Sequence, residues 1–195
     1  MIRLPTSHLF ALLALGLGAM AFGQQRTAMQ DDLLREYSVP MQRVLDLAKA
    51  IPADKYSWRP DPGARSISEV IVHVSVNTYV LLEMIHKPFP AELYQANLPP
   101  SGLARQQAMF GHNPTHEKNV TAKDEVVALA AKAFAAGEAP LRETPADQLS
   151  TEAFFLKRRS TVGGIHLRMM AHLHEHLGQL IAYARSVGVV PPWSQ

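Results

Sequence analysis

The stretch VGGIHLRMMAHLHEHLGQLIAYARSVG, residues 162–188, decides the fold. Its apolar positions recur every three or four residues, which is the period of an α-helix with one buried face. Gly188 and the prolines that follow it end the segment as helices commonly end. The stretch predicts a long amphipathic helix. Its buried stripe contains Ile165, Met169, His172, Leu173, His176, Leu180, Tyr183 and Val187.

Two histidines lie inside this stripe. His172 and His176 are four residues apart, so a helix places their rings on one face, one turn apart. Solvent-facing histidines have the same spacing, but these two share the core stripe, where uncompensated imidazoles are unfavourable. A divalent metal ion removes that cost by taking a lone pair from each ring. We expect His174 at the surface, because it lies two residues from both, and His166 at the flank of the stripe.

Helical periodicity recurs in three other segments, and convincing β alternation is absent apart from an ambiguous stretch at residues 152–156. Pro40 lies inside the first segment, where we expect it to kink or split the helix. The pattern therefore predicts an all-α fold. The predicted helices cover about residues 29–51, 66–86, 121–142 and 162–187.

The apolar face of the second helix carries a third candidate ligand, His73. Ser66, with Glu69 three residues later, forms a capping box that defines the start of this helix. A single histidine on an apolar face is more often a hydrogen-bonded core residue than a ligand. Here, however, another helix offers two inward-facing histidines. We therefore predict that one divalent ion is held by His73, His172 and His176.

Three polar residues near these histidines are candidates to support the site. Asn77 lies one turn after His73, Glu175 lies between the two ligands of the last helix, and Gln179 follows His176 by three residues. Side chains that hydrogen bond a metal-ligating imidazole fix its orientation. Ordinary packing or solvent exposure remains the alternative interpretation for each of the three.

A second histidine pair lies in the long connection over residues 87–120. His112 and His116 also have helical spacing, but Pro114 lies between them. We expect at most a short helix over residues 103–110 here, and both histidines at the surface. A connection of this length is often a functional lid, although it can equally be a surface excursion that joins two helices.

Composition excludes several classes of chemistry. The chain has 195 residues, 47% of them hydrophobic, a net charge of +2 and no cysteine. The lack of cysteine excludes disulfides, thiolate catalysis, cysteine-bound zinc and iron–sulfur clusters. No run of lysine or arginine forms a stripe that would bind nucleic acid, so we expect no nucleic-acid partner. A second copy of the chain, giving a homodimer, is left open as a partner.

The N-terminus predicts export. Residues 1–23 combine Arg3, an apolar stretch and the small-residue cleavage signature Ala21-Phe22-Gly23, which together are typical of a secretory signal peptide. The apolar stretch is short for a transmembrane helix, so we expect cleavage rather than stable membrane insertion. An uncleaved anchor is the alternative. We expect one mature domain over residues 24–195, in the periplasm or secreted.

The C-terminal stretch 172–188, together with Tyr56-Ser57-Trp58-Arg59-Pro60, the Ser66 capping box and His73, resembles the DinB/YfiT-like superfamily. The resemblance implies a four-helix bundle with a divalent metal bound by three histidines. It covers about residues 29–193. Characterised relatives include thiol-dependent transferases and isomerases that use bacillithiol, mycothiol or glutathione. Many relatives have adjacent histidines where Glu175 and Leu177 flank His176 here, and those thiols are cytosolic, whereas export is predicted for this chain.

Two functional hypotheses follow from these patterns. The first is a metal-dependent enzyme, either a hydrolase or a small-molecule group or thiol transferase, because three neutral ligands leave a coordination position open. The second is a non-catalytic metal- or ligand-binding bundle in which the ion secures the helices. Imidazole ligands suit zinc or nickel, and iron also fits. The sequence does not identify the small-molecule substrate.

Overall fold

A computed structural model describes residues 26–94 and 98–194, so the predicted signal peptide over residues 1–23 lies outside the described residues. The described chain is mainly helical, with one short β-hairpin. The helices are α1 Ala28–Ala50, α2 Ile67–Met84, α3 Gly102–Asn119, α4 Lys123–Glu143 and α5 Val162–Ser186, and the strands are β1 Glu152–Phe155 and β2 Arg158–Thr161.

Four of these helices form a closed bundle. Helices α1 and α2 lie on opposite sides of it, and each packs against both α4 and α5, while α3 packs on the outer side of α2. Gln30 Nε2 donates to the carbonyl oxygen of Thr144 at 2.7 Å, and Lys123 Nζ donates to that of Ile51 at 2.8 Å. The two ends of α1 therefore meet opposite ends of α4, so these helices are antiparallel. The predicted all-α four-helix bundle is confirmed.

Local capping explains where the helices begin. The backbone N–H of Glu69 donates to Ser66 Oγ, and that of Ser66 donates to Glu69 Oε2 at 2.8 Å, so the predicted capping box starts α2. Thr27 forms the same arrangement with Gln30 at the start of α1. Helix α1 is continuous through Pro40 and is not split there. Good packing of its buried face compensates for the hydrogen bond that proline cannot donate.

The connection over residues 87–120 is more ordered than the sequence predicts. Helix α3 has 18 residues and continues through Pro114, so the prediction that the helix ends near residue 110 is wrong. The buried side chains Gln106, Met109, Asn113 and Glu117 recur every three or four residues and pack α3 on α2, and this tertiary packing outweighs the local effect of proline.

The pair in α3 is not simply a surface pair. His112 and His116 are both partly buried. The ring of His116 packs edge-on against Tyr94, with 5.4 Å between ring centroids, and its Nε2 atom is buried. The expectation of a surface position is therefore wrong for His116, because the helix that the sequence did not predict turns it inward.

Helix α2 lies at the centre of the molecule. Fifteen of its 18 residues are buried, because α3, α4 and α5 pack around it. By length and composition alone it could cross a membrane, yet 83% of that window is buried inside the protein. Its high mean hydropathy therefore reflects its central position in the bundle, since helices buried on all sides are apolar on all faces.

The stretch at residues 152–156 forms one strand of the hairpin. Strand β1 pairs antiparallel with β2, and Phe155 lies opposite Arg158. The side chain of Gln106 in α3 holds the hairpin, because it donates to the carbonyl oxygen of Phe154 at 3.2 Å and accepts from the N–H of Leu156 at 2.9 Å. Helix α5 begins directly after this hairpin.

His166 lies deeper than the stripe of α5 predicts. Its side chain is 1% exposed, so its expected position at the flank is wrong. Burial, with a smaller contribution from Lys87, lowers the pKa of His166 to about 4. The imidazole is therefore neutral at physiological pH.

Two glycines in helices make a matched test of the packing. At Gly137 an added Cβ would collide with the hydroxyl of Tyr37 and lie 2.8 Å from Thr78 Cγ2, whereas at Gly178 it would meet nothing within 4 Å. We expect Gly137→Ala to destabilise the fold by about 1–3 kcal/mol. Gly178→Ala should stabilise it by up to about 1 kcal/mol, because alanine favours helix. Urea unfolding of both variants measures this, and equal effects would contradict the packing.

The buried imidazole of His166 predicts a loss of stability in acid. Between about pH 6.5 and pH 4 the unfolded chain binds a proton here that the folded protein does not, so stability falls as pH falls. As the pH falls over this range, the free energy of unfolding should therefore decrease less for His166→Leu than for the wild type, by up to about 3 kcal/mol. The measurement is urea unfolding in EDTA at several pH values. The exposed His174→Leu is the control, and a slope for His166→Leu equal to that of the wild type would refute the prediction.

Candidate metal centre

The structure brings His73, His172 and His176 together where α2 meets α5. The Nε2 atom of His172 lies 3.3 Å from Nε2 of His73 and 3.1 Å from Nε2 of His176. One ligand nitrogen from each of the three rings lies within 4.8 Å of the other two. Three imidazoles from two helices thus converge on one point, although His73 and His172 are 99 residues apart in sequence.

Local structure explains how each ring reaches this point. The capping box fixes the first turn of α2, and His73 follows in the second turn. His172 and His176 are one turn apart on α5, so their rings lie on the same face, 4.5 Å apart between centroids. His174 is exposed, and its Nε2 atom lies 3.5 Å from Glu36 Oε2, away from the cluster. The helical period of α5 therefore places His172 and His176 on the face of the cluster and His174 on another face.

Hydrogen bonds select the tautomer of two of the three rings. Glu117 Oε1 accepts from Nδ1 of His73 at 2.7 Å, and Gln179 Oε1 accepts from Nδ1 of His176 at 2.9 Å. An oxygen acceptor at Nδ1 requires the proton on that atom, so in the neutral form of each ring the lone pair is on Nε2. Both lone pairs point toward the shared centre of the cluster. This arrangement is the one that metal-ligating histidines usually show.

Glu117 is the functional residue that the sequence analysis missed. Its second carboxylate oxygen accepts from Nε of Arg65 at 2.7 Å, so it links Arg65 to His73. Burial alone would raise the pKa of Glu117, but the hydrogen bonds and charges of His73 and Arg65 outweigh it and hold the pKa below its usual range. The available signal was its place on the buried stripe of α3, where Asn113 precedes it by one turn.

The three predicted supporting residues have different positions. Gln179 hydrogen bonds His176 and also donates to the hydroxyl of Tyr183 at 2.9 Å, which holds its amide in place. Asn77 lies against the ring of His73 and donates to its carbonyl oxygen at 2.8 Å. Asn113 donates to the other end of the Asn77 amide at 3.1 Å. Gln179 and Asn77 therefore both contact a histidine of the cluster and are held by hydrogen bonds of their own.

Glu175 does not support the cluster directly. Its side chain is exposed, and in the described part of the chain it makes no hydrogen bond to the three histidines. A helix turns about 100° per residue, which carries the neighbour of a buried residue away from the core. Its charge nevertheless opposes part of the lowering of the His176 pKa.

Burial keeps the α5 rings neutral. It lowers the pKa of His172 to about 3, and the neighbouring rings of His176 and His73 add to the effect. Burial also lowers the pKa of His176, against the hydrogen bond that His176 donates to Gln179, which raises it. Both imidazoles therefore keep their lone pairs at neutral pH, which is the form that binds metals.

The cluster fits a divalent ion. Nitrogens bound at about 2.0–2.1 Å in a tetrahedral shell lie roughly 3.4 Å apart, close to the two Nε2–Nε2 distances that His172 makes to its neighbours. Without an ion, His172 can donate its one proton to one neighbour, and a lone pair on the other neighbour stays unmatched. Buried polar atoms without partners are costly, so an ion bound by all three nitrogens satisfies the cluster best.

A cleft lies beside this cluster. It has a volume of about 510 Å³, and Glu117 and Gln179 line it, so its wall is one side chain away from His73 and His176. The side chain of His73 is 17% exposed. None of the three histidines lines the cleft, and Glu117 and Gln179 lie between it and the cluster.

Comparison with known proteins supports this fold. The family model of the DinB superfamily matches residues 39–180, which is more than half of the chain. A crystal structure of a DinB-like protein from Bacillus cereus has a TM-score of 0.61 and 16% sequence identity, and the match covers 83% of this chain and 95% of that one. At this identity the likeness bears on the fold alone. No curated protein matches the chain. The family match covers α2, α3, α4 and most of α5, including all three clustered histidines, and the chain belongs to the DinB superfamily.

Proposed function

We propose that this protein is a metal-dependent enzyme that acts on a small molecule by hydrolysis or group transfer. His73, His172 and His176 would hold one divalent ion. The observation that carries the proposal is the convergence of three imidazole nitrogens beside a cleft that a small molecule can enter. Catalytic metal sites commonly have three protein ligands and one position for water or substrate.

The chain's own residues have distinct roles in this proposal. The three histidines would provide the imidazole ligands, while Glu117 and Gln179 orient the rings of His73 and His176. A bound ion would supply a Lewis acid that lowers the pKa of a water molecule or of a substrate thiol. The buried side of the cluster limits access by bulk water, because α2 and α5 pack tightly around it.

The alternative is an ion that only secures the helices. Two observations favour the enzyme. The apolar core spans all four helices of the bundle without needing a metal to join them. The candidate ligand set in the described residues has three members, whereas structural zinc sites are usually closed by four.

Export bears on the choice of substrate. The signal peptide predicted for residues 1–23 would place the enzyme outside the cytoplasm. We therefore propose the periplasm or the extracellular space as its site of action. A substrate other than the cytosolic thiols of characterised relatives is then favoured, and hydrolysis is the simpler reaction in that setting.

Replacing one histidine inside the cluster and one outside it tests the metal site. His172→Ala should lose the bound metal, whereas His174→Ala should retain one equivalent, because His174 faces solvent. Zinc at a hundred times its Kd adds about 2.7 kcal/mol to a native state that binds it, so added zinc should raise the melting temperature of His174→Ala but not of His172→Ala. Elemental analysis and thermal melting of untagged protein measure this. Identical behaviour of the two variants would remove the basis of the proposed function.

Replacing two glutamates in turn tests whether the residue that hydrogen bonds a clustered histidine matters more than the one that is its neighbour in sequence. Glu117→Gln should weaken metal affinity by about 10- to 100-fold, because the neutral amide holds the His73 ring less well. Glu175→Gln should change it little, because Glu175 is exposed. Competition with a chromophoric chelator gives both affinities. If Glu175→Gln had the larger effect, the role given to Glu117 would be wrong.

A further inference from the structure

The cleft beside the histidine cluster contains more cations than carboxylates. Three basic side chains and two acidic ones line it, together with small and amide residues. The charged lining residues are Arg59, Arg65, Lys118, Glu69 and Glu117. Charged clefts attract ligands of the opposite sign, so the detailed pairing of these groups matters.

Both carboxylates are already engaged. Glu69 accepts from the backbone N–H of Ser66 at 2.8 Å and from Arg59 at 3.0 Å, so it belongs to the capping box of α2. Glu117 accepts from Arg65 and from His73, as described above. Neither carboxylate is available to neutralise a further cation in the cleft.

Two of the basic side chains keep unused donors. Lys118 is exposed, and within the described residues its ammonium group has no acceptor. Arg65 donates to Glu117 through Nε, its side chain is 40% exposed, and no acceptor for its two terminal nitrogens is found among the described residues. A guanidinium edge of this kind binds the two oxygens of a carboxylate or phosphate group.

We propose that the substrate of this site is an anionic small molecule whose carboxylate or phosphate group is bound by Arg65 and Lys118. The inference rests on the proposed function, because it assigns the substrate class of the same centre. The path from Arg65 through Glu117 to His73 places the anion-binding edge two hydrogen bonds away from the cluster. The three clustered imidazoles offer no negative charge to a divalent ion, so a loaded centre adds to the positive field that an anion meets.

Inorganic phosphate is a suitable probe for this edge of the cleft. We would measure its binding by calorimetry at constant ionic strength, with the full chain loaded with zinc and again after EDTA. Lys118→Ala is the test variant, because among the described residues the Lys118 side chain makes no hydrogen bond or ion pair to Glu117 or Gln179, which hold the histidines. Lys49→Ala is the matched control, because Lys49 is also an exposed lysine in the last turn of a helix, on a different element.

The expected result is that Lys118→Ala raises the Kd for phosphate by about three- to tenfold, with and without zinc, and that Lys49→Ala leaves it unchanged. Unchanged binding in Lys118→Ala, or no binding above the salt control, would overturn the inference. If phosphate binding disappears with EDTA and is unchanged in Lys118→Ala, phosphate binds to the zinc ion itself. That result overturns this inference and leaves the metal centre standing. Binding that depends on Lys118 in a protein that takes up no zinc supports the anion site while the proposed function fails.

Discussion

Three imidazole nitrogens facing one another inside a helical bundle are the constraint on which the site depends. Nε2 of His172 lies within 3.3 Å of Nε2 of both neighbours, a separation at which lone pairs repel unless a proton or a metal ion lies between them. The rings cannot turn away, because Glu117 and Gln179 hold two of them and burial keeps the α5 pair neutral. The position of α2 relative to α5 is therefore linked to the chemistry of the cluster, as it is in bundles that build metal sites from facing helices.

Helix α3 connects this constraint to the outside of the molecule. It does not belong to the closed ring of four helices, yet it supplies Glu117 to His73 and Asn113 to Asn77. Glu117 and Lys118 are adjacent in sequence, so the same turn of α3 holds a ligand ring with one side chain and lines the cleft with the next. A shift of α3 on α2 would change both the orientation of His73 and the shape of the cleft. The helix that joins two bundle segments is thus part of the site.

Local patterns predicted the three clustered histidines well, and long-range contacts account for what they missed. The capping box at Ser66 and the stripe of α5 are properties of a few neighbouring residues, so helical periodicity alone placed His73, His172 and His176 on inward faces. Glu117 contacts His73 across 44 residues, and no local signal carries that contact. Pro114 predicts a helix break, and this expectation conceals the buried stripe of α3 on which Glu117 lies. His166 was missed for another reason: α5 packs against α1, α2 and the hairpin, so its buried surface is wider than a single stripe.

Burial does not by itself identify which of the nine histidines bind a metal. His116 and His166 also have a buried Nε2 atom without a partner in the described part of the chain, yet each is isolated from the cluster. What distinguishes His73 and His176 is that an oxygen acceptor fixes the proton on Nδ1 and leaves the opposite nitrogen directed at other imidazoles. Metal-ligating histidines are usually held in this way, because the second hydrogen bond sets both the tautomer and the basicity of the ligand. His116 and His166 are buried but do not converge with other histidines, so they bear on the stability of the fold. The cluster combines burial, fixed tautomers and convergence beside a cleft.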